Sequence, residues 1–313
     1  MPGTRPVMTL RVPAMFATSL LWVPFTLLAA AGQTARNAMQ RELTTKLGTV
    51  GATHVRFLFG FPFALVFLAG VFMATGLPMP VLPWMFWPWA VVGAGAQILA
   101  TALMLATMND RSFVVTIAYI KTEAIQAALF GLIFLGDAVT GGMVAAILVA
   151  TAGVVAMSLK GKGATEGGYK PVLLGLFSGA MFALSAIGYR GAILSLGLPS
   201  FVLAATFTVT VGLLMQAGLL TLHLAVRDRA VLYAIARAWR PSLFAGFMGA
   251  TASEFWFLAF ALTSVANVRT LALVEVLFAQ AMSFFIFKQA TTKREGLGMT
   301  LIVLGVALLI WVQ

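Results

Sequence analysis

The chain has 313 residues, of which 61% are hydrophobic and only 9% are charged. Soluble domains contain about 25% charged residues, so this composition, with a mean hydropathy of +1.00, is typical of a protein embedded in a lipid bilayer. Cysteine is absent, which excludes disulfides and thiolate metal sites, and the two histidines, His54 and His223, are far apart in sequence. We therefore expect no metal and no other cofactor.

The net charge of +11 is a second compositional feature, and by itself it would suit a nucleic-acid-binding protein. However, the lysines and arginines lie mostly in short segments between apolar runs, which is how membrane proteins set their orientation. The sequence has no H-E-x-x-H-type motif, no cysteine nucleophile and no histidine pair to support an intramembrane enzyme. We predict a protein of the lipid bilayer that is not an enzyme and has no nucleic-acid partner.

Apolar runs of about 20 residues predict ten transmembrane helices, so the predicted fold class is an all-α integral membrane protein. A basic, amphipathic segment at 227–240 is expected to lie at the membrane surface between the seventh and eighth helices. The ten predicted spans cover residues 12–35, 50–74, 88–108, 112–136, 138–159, 172–194, 201–226, 241–262, 266–287 and 296–312.

A fixed spacing relates the two halves of the chain. A polar, glycine-rich linker at 161–170 separates a first predicted unit, 1–160, from a second, 171–313. Five spans per unit is an odd number, which inverts the second copy in the membrane; transporters with such repeats bind substrate near mid-membrane, where the repeats meet. Three residue pairs share one ungapped offset of 152 positions (275 − 123 for the first): Glu123 with Glu275, Thr140 with Thr292, and Gly153 with Gly305.

The N-terminus resembles a secretory signal peptide, because Arg5 and Arg11 are followed by an apolar run and by small residues at 29–31. We expect this segment not to be cleaved, since the repeat needs it as its first helix.

Charged residues within the spans are the first candidates for a functional site. Glu123 and Glu275 lie near the middle of the fourth and ninth spans, where a charge costs roughly 2.5–3.5 kcal/mol on insertion scales. They could line a central cavity and bind a proton or a cationic group, or they could be hydrogen-bonded structural residues. Lys121 is two residues from Glu123 and should face another side of the helix, so we expect it to pair with Glu275 or Glu254.

Two arginines within the spans have similar alternatives. Arg56 in the second span and Arg269 in the ninth could pair with acids or hold a substrate carboxylate. For Arg56 the sequence favours a structural contact between helices. Arg269 and Glu254 lie nearer the ends of their spans, where long side chains reach the membrane surface at little cost.

Neutral polar and aromatic side chains complete the candidate set. Gln126 lies three residues after Glu123 on the same helix face, which makes it the best cavity candidate among the glutamines. Gln33 in the first span is a further candidate, with an interhelical hydrogen bond as the structural alternative. Aromatic residues that could form an apolar wall for a substrate, or simply face lipid or the core, are Trp22, Tyr119, Phe182 and Trp256.

Four motifs follow one another along the chain: V-R-F-L-F-G with Arg56, L-G-D-A-V-T with Asp137, L-V-E-V-L-F with Glu275 (echoed by K-T-E-A-I at Glu123), and the glycines Gly153 and Gly305. In this order they resemble the ten-helix EamA-like members of the drug/metabolite transporter superfamily, and the resemblance covers essentially the whole chain. The turn after the ninth span departs from the family pattern, because Lys288 and Gln289 replace a glycine and an acid, and Val276 stands where a proline is common.

The resemblance implies ten helices in two inverted five-helix repeats, located in a bacterial inner membrane as a multi-pass monomer or homodimer. It implies secondary active transport by alternating access, often export, of a small metabolite such as an amino-acid-like or an amphiphilic or aromatic compound. Proton coupling stays open. The alternative is a flippase of the same fold that acts on a lipid or a lipid-linked substrate.

Charge counting and the resemblance disagree about orientation. Fourteen of the twenty lysines and arginines, including Arg36 in a predicted first loop, fall on the side opposite the two termini, and three fall on the side of the termini. The positive-inside rule therefore places both termini outside the cytoplasm. Family members usually have both termini inside. We adopt the orientation given by the charge count.

Overall fold

The computed structural model describes residues 20–110, 113–158, 170–285 and 292–312, and these residues form helices joined by short turns, with no strand among them. The signal-like N-terminus up to residue 19, nearly all of the predicted linker, and Lys288 with Gln289 lie outside the described residues. The helices are α1 (Trp22–Thr75), α2 (Phe86–Asp110), α3 (Phe113–Ile120), α4 (Glu123–Phe130), α5 (Gly141–Ser158), α6 (Lys170–Ser195), α7 (Phe201–Arg227), α8 (Arg229–Arg237), α9 (Trp239–Leu262), α10 (Val265–Leu271), α11 (Glu275–Phe285) and α12 (Lys293–Trp311).

Six of the described helices are long and apolar enough to cross a membrane, namely α1, α2, α6, α7, α9 and α12. This architecture fits an all-α membrane protein, but six is fewer than the ten predicted spans. The difference has local causes. The first two predicted spans are continuous in α1, the fourth and ninth are each broken into short helices, and the apolar part of α5, Gly141–Met157, is shorter than the rest.

Helix α1 reverses direction within its length, at Gly48. This glycine has φ 67° and ψ 175°, a backbone conformation that only glycine adopts readily. The Gln40 side-chain amide donates to the carbonyl of Ala52 at 3.0 Å, although residues twelve apart would be about 18 Å apart along a straight helix. The helix is therefore a hairpin, with a first arm before Gly48 and a second arm after it.

The hairpin corrects the predicted loop between the first two spans. Residues 36–47 are helical, and Arg36, expected in that loop, is fully buried. The apolar run ends near Ala35, but the helix continues, and Arg36, Asn37 and Gln40 are buried in it. Only the turn at Gly48 separates the arms.

The predicted fourth span is also not one helix. The amide of Thr122 donates to the carbonyl of Tyr119, three residues back instead of four, and the Thr122 hydroxyl donates to the same carbonyl at 2.8 Å. This tight turn separates α3 from α4, and Glu123 is the first residue of α4. A π-helical turn, Gly131–Leu135, then extends α4.

The predicted ninth span is interrupted at the equivalent position. A 3-10 turn, Ala272–Val274, joins α10 to α11, and Glu275 is the first residue of α11. Glu123 and Glu275 thus occupy the same place, 152 positions apart, at the start of the second helix of each broken span.

Helices of the first predicted unit pack closely on helices of the second. Helix α1 lies against α9, α2 against α6, and α5 against α12. In the last pair a Cβ atom at Gly153 would come within 2.6 Å of the Gly298 carbonyl oxygen, so the two backbones are in direct contact. The basic segment predicted at 227–240 contains the short helix α8, which buries Ile235 and exposes Arg229 and Arg237.

The reversal at Gly48 generates a stability prediction. Gly48→Ala places a side chain in a conformation that costs about 1–3 kcal/mol, so we expect a lower thermal unfolding midpoint for the purified protein in detergent. Gly70→Ala is the matched control, because Gly70 lies in the second arm with open space around it, and it should be neutral or slightly stabilising. Equal unfolding midpoints for Gly48→Ala and wild type would contradict the prediction.

Candidate functional site

Two broken helices bring four buried charged residues together. Lys121 Nζ lies 2.9 Å from Glu275 Oε2 and 3.5 Å from Glu123 Oε1, and Arg269 Nη1 lies 3.6 Å from the same Glu123 oxygen. All four side chains are at most 6% exposed. We call Lys121, Glu123, Arg269 and Glu275 the ion-pair cluster. It links the α3–α4 break to α10 and α11, and therefore joins the two predicted units.

The position of each carboxylate follows from the helix breaks. Glu123 and Glu275 are each the first residue of the helix that follows a break. The turn at Thr122 also brings Lys121 and Glu123 onto the same side. The prediction that they face apart is wrong, because it assumed a continuous helix. The predicted partnership of Lys121 with Glu275 is confirmed.

Two further candidates support the cluster. Trp256 Nε1 donates to Gln33 Oε1 at 3.0 Å, and Gln33 Nε2 donates to Glu275 Oε1 at 2.9 Å. The Arg269 guanidinium lies 4.7 Å from the centroid of a Trp256 ring, a distance suited to a cation–π interaction. Gln33 thus contacts the carboxylate of Glu275, and Trp256 contacts the guanidinium of Arg269. The hydrogen bond between Gln33 and Trp256 connects the first arm of α1 to α9.

Within the cluster two cations face two carboxylates. Moving such charges out of water costs several kcal/mol per ion, and paired charges offset this only with good geometry and extra hydrogen bonds. Both oxygens of Glu275 have partners, Gln33 and Lys121. Replacing the set by apolar residues of similar volume would avoid the desolvation cost.

The remaining candidates lie apart from these contacts. Arg56 Nη1 donates to the Thr101 hydroxyl on α2 at 3.2 Å, as expected of a contact between helices. The side-chain oxygen of Gln126 is buried beside Gly179 on α6, and Tyr119 packs against Gly175 on the same helix.

Two predictions about side chains near span ends need correction. Arg269 does not extend to a membrane surface, because its side chain is buried against Glu123 and Trp256. Glu254 accepts a hydrogen bond from the Thr206 hydroxyl of α7, so it too is held between helices.

Arg36 is the residue that the sequence analysis missed. It lies on the first arm, three residues after Gln33 and hence on the same helix face, and it is close enough to Glu275, Arg56 and Arg269 to interact with their charges. This spacing from Gln33 was the available signal. The apparent end of the apolar run at Ala35 obscured it.

A second ionic contact lies at the ends of three segments. Arg190 near the end of α6 pairs with Asp137 in the turn after α4, with Nη2 and Oδ1 3.4 Å apart. Its Nη1 donates to the carbonyls of Phe260 and Thr263 at the end of α9. Asp137 belongs to the motif L-G-D-A-V-T. The contacts of Arg190 therefore join the ends of predicted spans four, six and eight.

Within the described ranges, no group of three or more histidine, cysteine, aspartate or glutamate side chains could hold a metal ion. His54 instead shares a hydrogen bond with the Thr221 hydroxyl, with 3.0 Å between His54 Nε2 and the oxygen.

Comparison with known proteins identifies the fold alone. No protein-family model matches the chain, and no curated protein matches it in sequence. Twenty-eight chains of solved structures match it in three dimensions. One of them, described only as "Crystal structure of protein", has a TM-score of 0.69 over 95% of this chain and 96% of its own, at 16% sequence identity.

The ion-pair cluster generates a second stability prediction. Lys121→Met removes the cation between Glu123 and Glu275, so we expect a loss of about 3–5 kcal/mol in unfolding free energy, seen as a lower unfolding midpoint in detergent. Adding Glu275→Gln to this variant should recover part of the loss, since one uncompensated carboxylate is removed. Lys46→Met, at an exposed position in the first arm of α1, is the control. A Lys121→Met protein as stable as the control would show that the cluster does not hold the units together.

Proposed function

We propose that the protein is a secondary active transporter that moves a small metabolite across a membrane by alternating access. The observation that carries this proposal is the meeting of two broken helices at the ion-pair cluster. Discontinuous helices whose ends face each other at the interface between repeats form the substrate sites of many transporters. Non-helical backbone within a membrane is tolerated only where protein or a cavity surrounds it, and Lys121 and Glu275 are both buried.

We further propose that the chain crosses the membrane ten times, as two inverted five-helix repeats with limits at 1–160 and 171–313. The reversal at Gly48 supports two spans in α1, and the paired breaks before Glu123 and Glu275 support one broken span in each repeat.

The helix packing supports the same layout. A two-fold axis that exchanges the repeats requires that, if span three packs on span six, span eight must pack on span one. Helix α2 lies against α6, and a Cβ atom at Gly32 in the first arm of α1 would lie 3.3 Å from the Ala252 Cβ of α9. Spans five and ten, α5 and α12, exchange with each other and are in contact.

Alternating access needs contacts that close one side and can be released. The Arg190–Asp137 pair and the bonds from Arg190 to the end of α9 are suited to this role, because they connect three segment ends and are partly exposed. The substrate that we propose is amino-acid-like, or amphiphilic or aromatic, because charged groups and the rings of Trp256 and Phe260 lie side by side. Export across a bacterial inner membrane is the proposed direction and location.

A lateral groove favours one alternative, the flipping of a lipid or lipid-linked substrate. The groove lies between the second arm of α1 and α9, has a volume of about 450 Å³, and is lined mainly by apolar side chains, including Phe67, Phe247 and Phe255. Glu254 also lines it, and one of its carboxyl oxygens is buried without a hydrogen-bond partner among the described residues. An apolar groove with one carboxyl suits an amphiphile.

Transport by purified protein in liposomes, with a panel of metabolites and with and without a pH gradient, tests the proposal. Glu123→Gln and Glu275→Gln should lower the transport rate about tenfold or more while the folded yield falls less, because each loses a charge that packing alone does not need. Glu42→Gln, at an exposed position, is the matched control. Wild-type transport rates in both variants would show that the two carboxylates have only a structural role.

Movement of labelled lipid without solute flux would favour the flippase.

The charge count predicts the orientation in the membrane. Burial of Arg36 removes one cation from the more basic side but leaves the bias large, so both termini are still expected outside the cytoplasm. A periplasm-dependent reporter fused after Gln313 should be active, and a cytoplasm-dependent reporter at the same site should be inactive. The opposite result would favour the orientation implied by the family resemblance.

A further inference from the structure

Two buried arginines beside the ion-pair cluster have more positive charge and more N–H donors than the described protein groups satisfy. Arg36 and Arg56 are 0% and 1% exposed. Residues twenty apart would be about 30 Å apart in a straight helix, but the hairpin in α1 brings these two side by side. A Cβ atom at Gly249 of α9 would lie 3.3 Å from Arg56 Cγ and 3.4 Å from Arg36 Cδ.

The hydrogen-bond partners of the two guanidinium groups are few. Arg36 Nη2 donates to Asn37 Oδ1 at 2.8 Å, while its Nε and Nη1 have no acceptor within the described parts of the chain. Arg56 Nη1 donates to Thr101, and Arg56 Nε likewise has no described acceptor. An unsatisfied buried donor on a charged group is costly, so these N–H groups require an acceptor.

The nearby carboxylates cannot supply that acceptor as they stand. Among the described residues, no aspartate or glutamate oxygen lies within 4 Å of either arginine. Glu275 attracts Arg36 at longer range, but its Oε1 accepts a hydrogen bond from Gln33 and its Oε2 is ion-paired with Lys121. Glu123 is shared by Lys121 and Arg269. This part of the protein therefore holds four buried cations, Lys121, Arg269, Arg36 and Arg56, and two carboxylates that already have partners.

We infer that Arg36 and Arg56 form a binding site for the oxyanion of a small organic acid or phosphate ester. Arginine presents a planar fork of N–H donors that matches carboxylate and phosphate oxygens. A bound oxyanion would accept from the unpaired N–H groups and offset the excess positive charge.

The inference rests on the proposed function only in identifying the bound anion with the transported substrate. It narrows that substrate to compounds with a negative group. Binding itself can be measured without transport, so the two ideas can fail separately.

The test is ligand-dependent stabilisation of the purified full-length protein in detergent. Sodium acetate, sodium succinate and inorganic phosphate are titrated at constant ionic strength, with sodium chloride and ethylammonium chloride as controls. At least one oxyanion should raise the unfolding midpoint with a saturable concentration dependence, and neither control salt should do so. Saturation by acetate or succinate would identify a carboxylate site, and saturation by phosphate alone would identify a phosphate site.

Variants locate the binding. Arg36→Gln and Arg56→Gln should each weaken the apparent affinity by about tenfold or more, the effect of losing charge-assisted hydrogen bonds. Arg41→Gln removes an exposed arginine from the first arm of α1, the arm that holds Arg36, and this variant should titrate like the wild type. Arg36→Lys and Arg56→Lys keep the charge and serve if a glutamine variant does not fold; they should weaken binding to a smaller degree, because the fork of donors is lost.

Two results would overturn the inference: no saturable stabilisation of the wild type by any of the three oxyanions, or glutamine variants that titrate like Arg41→Gln. Saturable binding without flux in liposomes would keep the anion site and remove the transport proposal. Flux of an uncharged metabolite without oxyanion binding would keep the transporter and remove the anion site.

Discussion

The ion pair between Lys121 and Glu275 is the contact on which the site depends, because it joins the broken helix α3–α4 to the broken helix α10–α11. Its geometry requires both breaks. Without the turn at Thr122, Lys121 and Glu123 would face different sides of one helix, and without the 3-10 turn at Ala272, Glu275 would not begin a helix. The same pair holds Glu275 in place for Gln33 and, through Gln33, for Trp256.

The breaks keep most of their backbone hydrogen bonds, which makes them compatible with an apolar environment. At the first break the amide of Lys121 still bonds to Ile117, and the amide of Ile125 bonds to Thr122. Each break therefore costs little in hydrogen bonding while it places a carboxylate at a helix N-terminus. The reversal at Gly48 has a comparable effect on α1, since it brings Arg36 and Arg56 to the same surface of α9.

Buried cations outnumber buried carboxylates around the ion-pair cluster. The carboxylates of Glu123 and Glu275 are occupied by Lys121, Arg269 and Gln33, which leaves Arg36 and Arg56 without a described carboxylate within 4 Å. A protein interior does not hold such an excess without energetic cost, and the cost falls when an anion binds.

The sequence by itself determined the class of fold. Its 9% charged residues and its apolar runs of membrane length indicate a lipid bilayer, and segments that cross a bilayer in such runs can satisfy their backbone polar groups only as helices. It also indicated four of the residues that meet at the ion-pair cluster, Lys121, Glu123, Glu275 and Gln33, since charged or polar groups in an apolar span require partners. Trp256 was a candidate only for an apolar wall. The sequence located the matching positions of the two glutamates through their common offset.

Only the tertiary structure decided where the helices break and which side chains meet. The break at Thr122 is a tight turn accompanied by one side-chain hydrogen bond, and the reversal at Gly48 is one backbone conformation. Neither changes the hydrophobic pattern from which spans are predicted. For the same reason Arg36 was placed in a loop, and Arg269 was expected at a membrane surface. Hydropathy records how much apolar surface a segment has, whereas the contacts of a buried charge depend on the direction in which each turn of helix faces its neighbours.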